Sequence, residues 1–193
     1  MDVPKEFIVL CWTIFLGYFF VSAFFTKRAV ERVGWVWRIL FTSAILGWFV
    51  VMRYPAVSGT TSSGFAGTTI WPNSLTDEII ADAITLTGVI IALWARTALG
   101  DNWSTNIEFK ERHELITRGP YQYVRHPIYS GLLLMILGVM IIYDHDVGLV
   151  MYLIIFIGLW IKASQEEKLM TKHFPQAYPE YKAKVKALIP FVF

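Results

Sequence analysis

The sequence is poor in the residue types that build disulfides, metal sites and solvated surfaces. Its one cysteine, Cys11, lies within an apolar run, so an intramolecular disulfide and a cysteine-based zinc site are both impossible. Its four histidines form no HExxH motif and no close pair, which argues against a metal site. There is no GxG element, so the soluble nucleotide-binding fold is not supported. Charged residues make up only 17% of the chain, against about 25% in soluble domains, and the net charge of +2 does not indicate a nucleic-acid partner.

Apolar residues, in contrast, make up 55% of the chain and fall into five runs. The first, Phe7 to Phe25, has no charge over 19 residues, which as a helix is roughly 28 Å, close to the hydrocarbon thickness of a bilayer. The other four are Trp35–Met52, Ile79–Leu99, Ile128–Tyr143 and Val147–Ile161. Only three polar residues separate the last two runs, which favours an antiparallel transmembrane hairpin. The sequence therefore predicts a single all-α domain over residues 1–193, a polytopic membrane helix bundle of about five transmembrane helices.

The placement of lysine and arginine predicts the orientation of these helices. With five spans, one side of the membrane receives 13 of these residues beyond the span ends and the other side receives only Lys5 and Arg53. The richer side is expected to be cytoplasmic. We therefore expect the N-terminus outside and the C-terminus in the cytoplasm, with three spans in residues 1–99 and the polar, chemistry-bearing segments in residues 100–193.

The segment Gly119 to Pro127 is the first candidate for chemistry. Its Gly-Pro pair breaks the chain, and Pro127 holds His126 extended and suits the first position of the fourth span. A helix that begins there presents N–H groups and a positive dipole end, which suit a carboxylate. The alternative is a plain loop entering a helix, with its tyrosines and Arg125 as anchors at the headgroup level.

The geometry of the predicted hairpin brings a second polar group to this loop. If the turn centres on residue 145, residue n of the fourth helix lies opposite residue 290 − n of the fifth. This register places Glu166 and Glu167 at the end of the hairpin, beside Tyr123, Arg125 and His126. Acidic groups near the C-terminal end of a helix oppose its dipole. The two glutamates therefore indicate either an ion pair with Arg125 or a pocket for a ligand with both cationic and anionic groups.

The C-terminal tail has a helical spacing of apolar residues. Tyr178, Tyr181, Val185 and Leu188 recur at intervals of three, four and three, with lysines between them. This pattern predicts a short amphipathic helix on the membrane surface. Its expected role is anchoring, with a possible second role in roofing a pocket.

Two blocks of this sequence resemble the isoprenylcysteine carboxyl methyltransferases, a family of membrane enzymes. The first block comprises Leu99-Gly100, Trp103-Ser104, His113-Glu114-Leu115 and the run GPYQYVRHPIYSG from Gly119 to Gly131. The second comprises Glu166-Glu167-Lys168-Leu169, Phe174, Tyr178, Tyr181, Val185 and Ile189-Pro190. The resemblance covers roughly residues 95 to 190. Pro175 departs from it, because the family usually has glycine after the phenylalanine.

The resemblance implies S-adenosyl-L-methionine as cofactor, S-adenosyl-L-homocysteine as product and the carboxylate of a prenylated cysteine as methyl acceptor. The cofactor is expected between the loop before the fourth span and the inner end of the fifth helix. The cofactor-binding residues implied are His113, Leu115, Gly119, Tyr121, Tyr123, His126, Pro127, Tyr129, Glu166 and Glu167. The catalytic candidates are Arg125, to steer the substrate carboxylate, and Glu167, to fix the geometry.

The mechanism expected for this acceptor is direct in-line methyl transfer. A C-terminal carboxylate has a pKa near 3.5 and is already ionised at neutral pH, so no general base is required. The lipid tail of the substrate would enter sideways from the bilayer while the cofactor enters from the cytoplasm.

Three other functions stay open at this point. A phospholipid amine acceptor would make Glu167 a general base, because an ammonium must lose a proton before it attacks. A membrane sterol-type reductase would use NADPH in place of the methyl donor. A transporter or scaffold is disfavoured, because transporters tend to place charges near the bilayer midplane, whereas here the polar groups gather on one membrane face.

Overall fold

The computed structural model describes residues 3–33, 43, 74–104, 107–111, 113–143 and 146–190. The chain is mainly helical, as predicted. Its helices are α1 (Val3–Ser22), α2 (Leu75–Leu99), α3 (Pro127–Tyr143), α4 (Asp146–His173) and α5 (Ala177–Lys184), and its strands are β1 (Ala29–Val33) and β2 (Ile107–Lys110). Short 3₁₀ turns at Gly100–Asn102 and Gly119–Gln122 flank the segment between α2 and α3.

Four of the five predicted spans lie on helices. Two helical stretches, Leu75–Asn102 and Leu149–His173, are 28 and 25 residues long and apolar enough to cross a membrane, and Glu6–Ser22 and Pro127–Ile142 are shorter apolar helices. The fifth predicted span was placed too short, since α4 continues twelve residues beyond Ile161 to His173. The second, Trp35–Met52, lies outside the described residues apart from position 43. The chain is an integral membrane protein built as a helix bundle.

The ends of α2 are set by local sequence signals. Ser74 caps the start: its hydroxyl oxygen accepts the N–H of Asp77 at 3.2 Å, while the Asp77 carboxylate accepts the N–H of Ser74 at 2.9 Å. At the other end Gly100 has a φ of 56°, a left-handed conformation that favours glycine, and its N–H donates to the carbonyls of Arg96 and Thr97. The chain therefore leaves the membrane at a defined point, just before the segment that surrounds the site.

Helices α2 and α3 pack against each other more closely than any other pair of the described helices. A Cβ added to Gly131 would lie 2.6 Å from the carbonyl oxygen of Gly88 and 3.0 Å from the backbone N of Ala92. Two helix backbones can approach this closely only where small residues face each other. In a membrane no hydrophobic effect drives helices together, so this close packing is what stabilises the pair. The predicted hairpin partners α3 and α4 pack less closely against each other than α2 and α3 do.

A small antiparallel sheet was not predicted. Strand β1 pairs with β2 so that Glu31 lies opposite Phe109 and Val33 opposite Ile107, with an irregularity near Ala29. These strands have four and five residues and are far apart in the chain, so the sequence carries little local signal for them. The pairing joins the chain after α1 to the chain after α2. It confirms that these two lysine- and arginine-bearing segments lie on the same side of the bundle.

The predicted tail helix was too long. Helix α5 ends at Lys184, and Val185 is extended with a φ of −119°. Residues beyond it run parallel to the loop before α3: the N–H groups of Arg125 and His126 donate to the carbonyls of Lys186 and Ala187 at 2.8 and 3.0 Å. Leu188 is therefore buried in the core on an extended segment and not on a helix. The segment is extended because its carbonyls accept hydrogen bonds from the loop, and a further turn of helix would lose these bonds.

Candidate functional site

An ion-pair cluster joins the loop before α3 to the inner end of α4, as the hairpin register predicted. Glu167 Oε1 lies 2.6 Å from Nη2 and 2.8 Å from Nε of Arg125, and both side chains are 9% exposed. The same oxygen lies 3.2 Å from Nε2 of His126, and Oε2 lies 2.7 Å from the Lys182 ammonium. Arg125 Nη1 also donates to the carbonyls of Lys182 and Val185. Glu167 therefore holds the loop, α4 and α5 in one arrangement.

Glu166 forms a second cluster one residue earlier on α4. Its Oε1 accepts the Tyr129 hydroxyl at 2.6 Å, and its Oε2 lies 3.5 Å from Nδ1 of His126. The His126 ring stacks on Tyr129 with a centroid distance of 5.5 Å and an interplanar angle of 5°. Burial alone would lower the pKa of His126, but the hydrogen bonds of Glu166 and Glu167 raise that pKa above its ordinary value. The imidazole is thus biased toward its cationic form between two carboxylates.

Three tyrosines close the cluster from the loop and from α5. Tyr181 donates its hydroxyl to the Tyr121 carbonyl at 2.5 Å, and the rings of Tyr178 and Tyr181 meet edge to face. Burial, followed by the nearby Glu166 charge, raises the pKa of Tyr121 well above its ordinary value. Burial also raises the pKa values of Tyr178 and Tyr181. These phenols are therefore neutral at physiological pH and act as hydrogen-bond donors and aromatic walls.

The turn at Pro175 keeps this arrangement despite the residue that departs from the resemblance. The Phe174 N–H donates to Met170 at the end of α4, and the Tyr178 N–H donates to the Phe174 carbonyl at the start of α5. Pro175 lies between these bonds, where the missing N–H of proline is not needed. The departure from the family pattern therefore leaves the turn intact.

A cavity of about 1190 Å³ lies beside this cluster. Typical small-molecule sites occupy about 300–1000 Å³, so the space can take two reactants. One end is charged and polar and includes Arg125, His126, Tyr129, Lys162 and Glu166. The other end is apolar and is lined by one face of α1 and by Leu132 and Val139 of α3: the α1 residues are Ile8, Val9, Trp12, Phe15, Leu16, Phe19 and Phe20. From Tyr129 to Val139 the α3 wall runs about 15 Å.

Six predicted cofactor-binding positions line this cavity: His113, Leu115, Tyr121, His126, Tyr129 and Glu166. The other four do not. Gly119 has a φ of +63° and packs near Trp94, Pro127 is buried in the core, and Tyr123 is 52% exposed. Glu167 is occupied by its cationic partners. The cofactor contacts expected of these four residues therefore stay predictions.

The protein itself engages part of the expected carboxylate site at the start of α3. The N–H groups of Tyr129 and Ser130 donate to the His126 carbonyl, and the Ser130 hydroxyl donates to the Leu188 carbonyl at 2.6 Å. The tail accepts the N–H groups of Arg125 and His126 just before the helix. Ile128, the second residue of α3, lines the cavity, and the carboxylate site expected there stays a prediction.

Sequence reasoning missed two parts of the site. Lys162 is only 5% exposed, and its ammonium lies 5.4 Å from the centroid of the Tyr129 ring. Its position four residues before Glu166, on the same face of α4, was the signal that could have found it. The apolar face of α1 gave no motif, because any lipid-facing helix has similar residues.

The comparisons with known proteins agree with this geometry. A family model described as phospholipid methyltransferase matches residues 76–177. Protein-S-isoprenylcysteine O-methyltransferase B of Arabidopsis thaliana is 29% identical over 119 residues, which cover 61% of this chain and 58% of that protein. Protein-S-isoprenylcysteine O-methyltransferase of Xenopus laevis is 29% identical over 118 residues, which cover 60% of this chain and 41% of that protein. The chain thus spans about half the length of these curated relatives.

A solved structure has the same fold. The eukaryotic intramembrane Ras methyltransferase, isoprenylcysteine carboxyl methyltransferase, superposes with a TM-score of 0.54 at 21% sequence identity, covering 84% of this chain and 55% of that one. The resemblance read from the two sequence blocks is confirmed by these matches. Because the family model covers more than half of its residues, the chain belongs to the phospholipid methyltransferase family.

Proposed function

We propose that this chain transfers a methyl group from S-adenosylmethionine to the carboxylate of a lipid-linked, isoprenylcysteine-like substrate and forms a methyl ester. The observation that carries the proposal is the cavity, in which an apolar channel along α1 and α3 leads to a charged end. A substrate with a prenyl tail and a terminal carboxylate has the same polarity. The names of the plant and frog relatives support the same acceptor.

The residues of the charged end fit the chemistry of this cofactor. Glu166 lines the cavity and offers a carboxylate to an ammonium. The backbone near His113 and Leu115 can read the edge of an adenine, and the ring of Tyr129 gives a face for a cation. When bound, the cofactor supplies a methyl group activated on a sulfonium.

The chain's own contribution is to hold the acceptor carboxylate in line and to exclude water. Arg125 has five N–H donors, and among the described residues its bonds to Glu167, Lys182 and Val185 use all but one Nη2–H. This donor and the Lys162 ammonium on the cavity wall would bind the substrate carboxylate. Alignment at about 3–3.5 Å can supply roughly 7–11 kcal/mol of the barrier. Glu167 acts as a positioning residue for Arg125.

A phospholipid amine is the second candidate acceptor, favoured by the description of the family. An amine would need a base near the transferred methyl group. Glu167, the candidate base, is engaged by Arg125, His126 and Lys182 and does not line the cavity. Its occupied oxygens favour the carboxylate acceptor. Family membership likewise favours methyl transfer over the reductase and transporter functions.

The proposed orientation places the N-terminus outside and the charged end of the cavity in the cytoplasm. The contacts of β1 with β2 and of Arg125 with Lys186 support it, because they gather the basic segments on one side. The substrate tail would then reach the channel from the bilayer, and the cofactor would enter from the cytoplasm.

The test is a methyl-transfer assay on the purified protein in nanodiscs, with three acceptors offered separately. N-acetyl-S-farnesylcysteine carries the carboxylate, its carboxamide lacks it, and phosphatidylethanolamine carries the amine. We expect a base-labile methyl ester on the first acceptor and no product on the carboxamide. We also expect a rate that is nearly flat from about pH 7 to 9, since the acceptor is ionised throughout.

Two controls sharpen the result. Lys162→Met should lower turnover of farnesylcysteine, whereas the exposed Glu180→Gln should leave it unchanged. Methylation of phosphatidylethanolamine with a rate that rises steeply with pH would replace the carboxylate proposal with the amine. No binding of S-adenosylhomocysteine by calorimetry, in folded protein, would overturn the methyltransferase function itself.

A further inference from the structure

We infer that Glu31 is a positioning residue that sets the affinity for the cofactor, although it lies outside the cavity. The inference rests on the proposed function, because it assumes that the cavity wall formed by residues 107–116 contacts S-adenosylmethionine. Glu31 lies on β1, in a part of the chain that carries none of the sequence motifs. Its contacts nevertheless connect the two walls of the polar end.

The first link joins β1 to the end of α4. Glu31 Oε2 lies 2.8 Å from Nε2 of His173, and its two oxygens lie 2.8 and 3.0 Å from the Lys172 ammonium. The Lys172 side chain is 63% exposed and that of His173 is 24% exposed. Exposed ion pairs contribute little, so the contact with His173 is the stronger restraint. The hydrogen bonds of Lys172 and His173 both lower the pKa of Glu31, which therefore stays ionised at neutral pH.

The second link is a column of aromatic rings. His173 stacks on Phe109 with a centroid distance of 3.6 Å and an angle of 8°, and Phe109 stacks on His113 at 5.0 Å and 24°. Phe109 is also the cross-strand partner of Glu31. Contacts between aromatic rings stabilise their arrangement beyond the effect of burial alone. The column thus runs from the carboxylate of Glu31 to His113, the ring that lines the cavity.

The third observation is that the two segments joined by this clasp both line the cavity. The clasp is the set Glu31, His173, Phe109 and His113. The wall contributes Ile107 and Glu108 of β2 and residues 113–116 to the cavity, and α4 contributes Leu169 and Met170 just before His173. The wall itself has little regular structure beyond the four residues of β2.

The experiment measures the order of the wall and the affinity for S-adenosylhomocysteine separately. Hydrogen exchange of the ligand-free protein reports on the amides of residues 107–116, and calorimetry reports on binding. We expect Glu31→Leu to speed exchange in this segment and to weaken binding about tenfold, the loss expected from one charge-assisted hydrogen bond. Glu31→Gln keeps a hydrogen-bond acceptor for His173 and should recover most of the affinity.

The two partners of Glu31 provide a matched pair of controls. His173→Leu removes both the hydrogen bond and the imidazole stack and should behave like Glu31→Leu. Lys172→Gln removes only the exposed ion pair and should bind like the wild type. In turnover assays Glu31→Leu should raise the KM for the methyl donor and leave kcat at saturation unchanged, a split that general destabilisation would not produce.

The outcomes separate this inference from the proposed function. If Glu31→Leu binds as tightly as the wild type and its exchange is unchanged, the clasp does not position the wall. If Lys172→Gln is as damaging as His173→Leu, the stacked column is not the route. If the wild type binds no S-adenosylhomocysteine while exchange in the wall still depends on Glu31, the cofactor assignment fails and the positioning of the wall stands.

Discussion

Replacing Glu167 with alanine removes the acceptor around which the loop, α4 and α5 are arranged. The strongest interaction that this variant removes is the ion pair with Arg125, whose Nη2 and Nε lie 2.6 and 2.8 Å from Glu167 Oε1. Both side chains are 9% exposed, so the variant leaves a buried guanidinium without its counter-charge. Breaking a buried pair from one side costs about 3–5 kcal/mol. Lys182 adds at most about 1 kcal/mol, because its side chain is 53% exposed.

Thermal unfolding in detergent, followed by tryptophan fluorescence, measures this destabilisation. For a chain of this size a decrease of 1 kcal/mol in stability shifts Tm by about 2–4 °C, so we expect Glu167→Ala to melt roughly 6–20 °C below the wild type. The exposed Glu180→Ala serves as the reference for a surface carboxylate and should melt with the wild type. A Glu167→Ala variant within about 2 °C of the wild type would refute the buried-pair reasoning.

A double variant separates stability from chemistry. Arg125→Met combined with Glu167→Leu replaces the pair with apolar side chains, and such replacements are often neutral or stabilising. We expect Tm to return most of the way to the wild-type value while methyl transfer stays abolished, because the last free N–H of Arg125 is gone. Recovery of both properties would show that Arg125 does not contact the acceptor.

Three further predictions concern other parts of the bundle. Gly131→Ala should destabilise the protein by about 1–3 kcal/mol in thermal melts, since its Cβ would lie 2.6 Å from the carbonyl oxygen of Gly88, whereas Gly158→Ala meets nothing within 4 Å and should be neutral or stabilising. The pKa of His126 is raised on folding, so the stability that its cationic form contributes is complete below the ordinary pKa of about 6.5 and is lost as pH rises through the raised value. The Tm advantage of the wild type over His126→Gln should therefore be largest near pH 6 and shrink toward pH 9. The buried guanidinium of Arg96 donates to the carbonyls of Ser22 and Gly100, where α1 and α2 end. Arg96→Met should therefore lower the stability by about 1–3 kcal/mol for each carbonyl left without a donor, and proteolysis at the two helix ends should become faster.

The contact between Arg125 and Glu167 was predictable because it follows from the number of residues that separate each of them from the turn of the hairpin. Two antiparallel helices joined by a three-residue turn advance at the same 1.5 Å per residue, so equal distances from the turn face each other. Arg125 pairs with Glu167 and not with position 165 of the predicted register, a shift of two residues, about half a turn. The charge types on both sides then made the ion pair the simplest outcome.

The parts that sequence reasoning missed depend on contacts between distant segments. The register of Glu31 opposite Phe109 has no local pattern, and the stack on His173 needs the end of α4 to be placed first. The tail was assigned too long a helix because the spacing of Val185 and Leu188 fits a helix, and no local pattern indicates the extended segment found there. Only the position of the loop carbonyl and N–H groups decides between them. Long-range pairing of this kind overrides local periodicity.

The tail that pairs with the loop before α3 also determines when the site can form during synthesis. Ser130 and the carbonyl of Leu188 that it bonds are 58 residues apart in the chain. At about 5–20 residues per second, the ribosome makes the second partner roughly 3–12 s after the first. All the described spans, α1 to α4, precede that segment and can enter the membrane while the loop still lacks its backbone partners. A chain truncated before residue 186 would keep all the described spans but would lack the carbonyls that pair with the loop carrying Arg125 and His126.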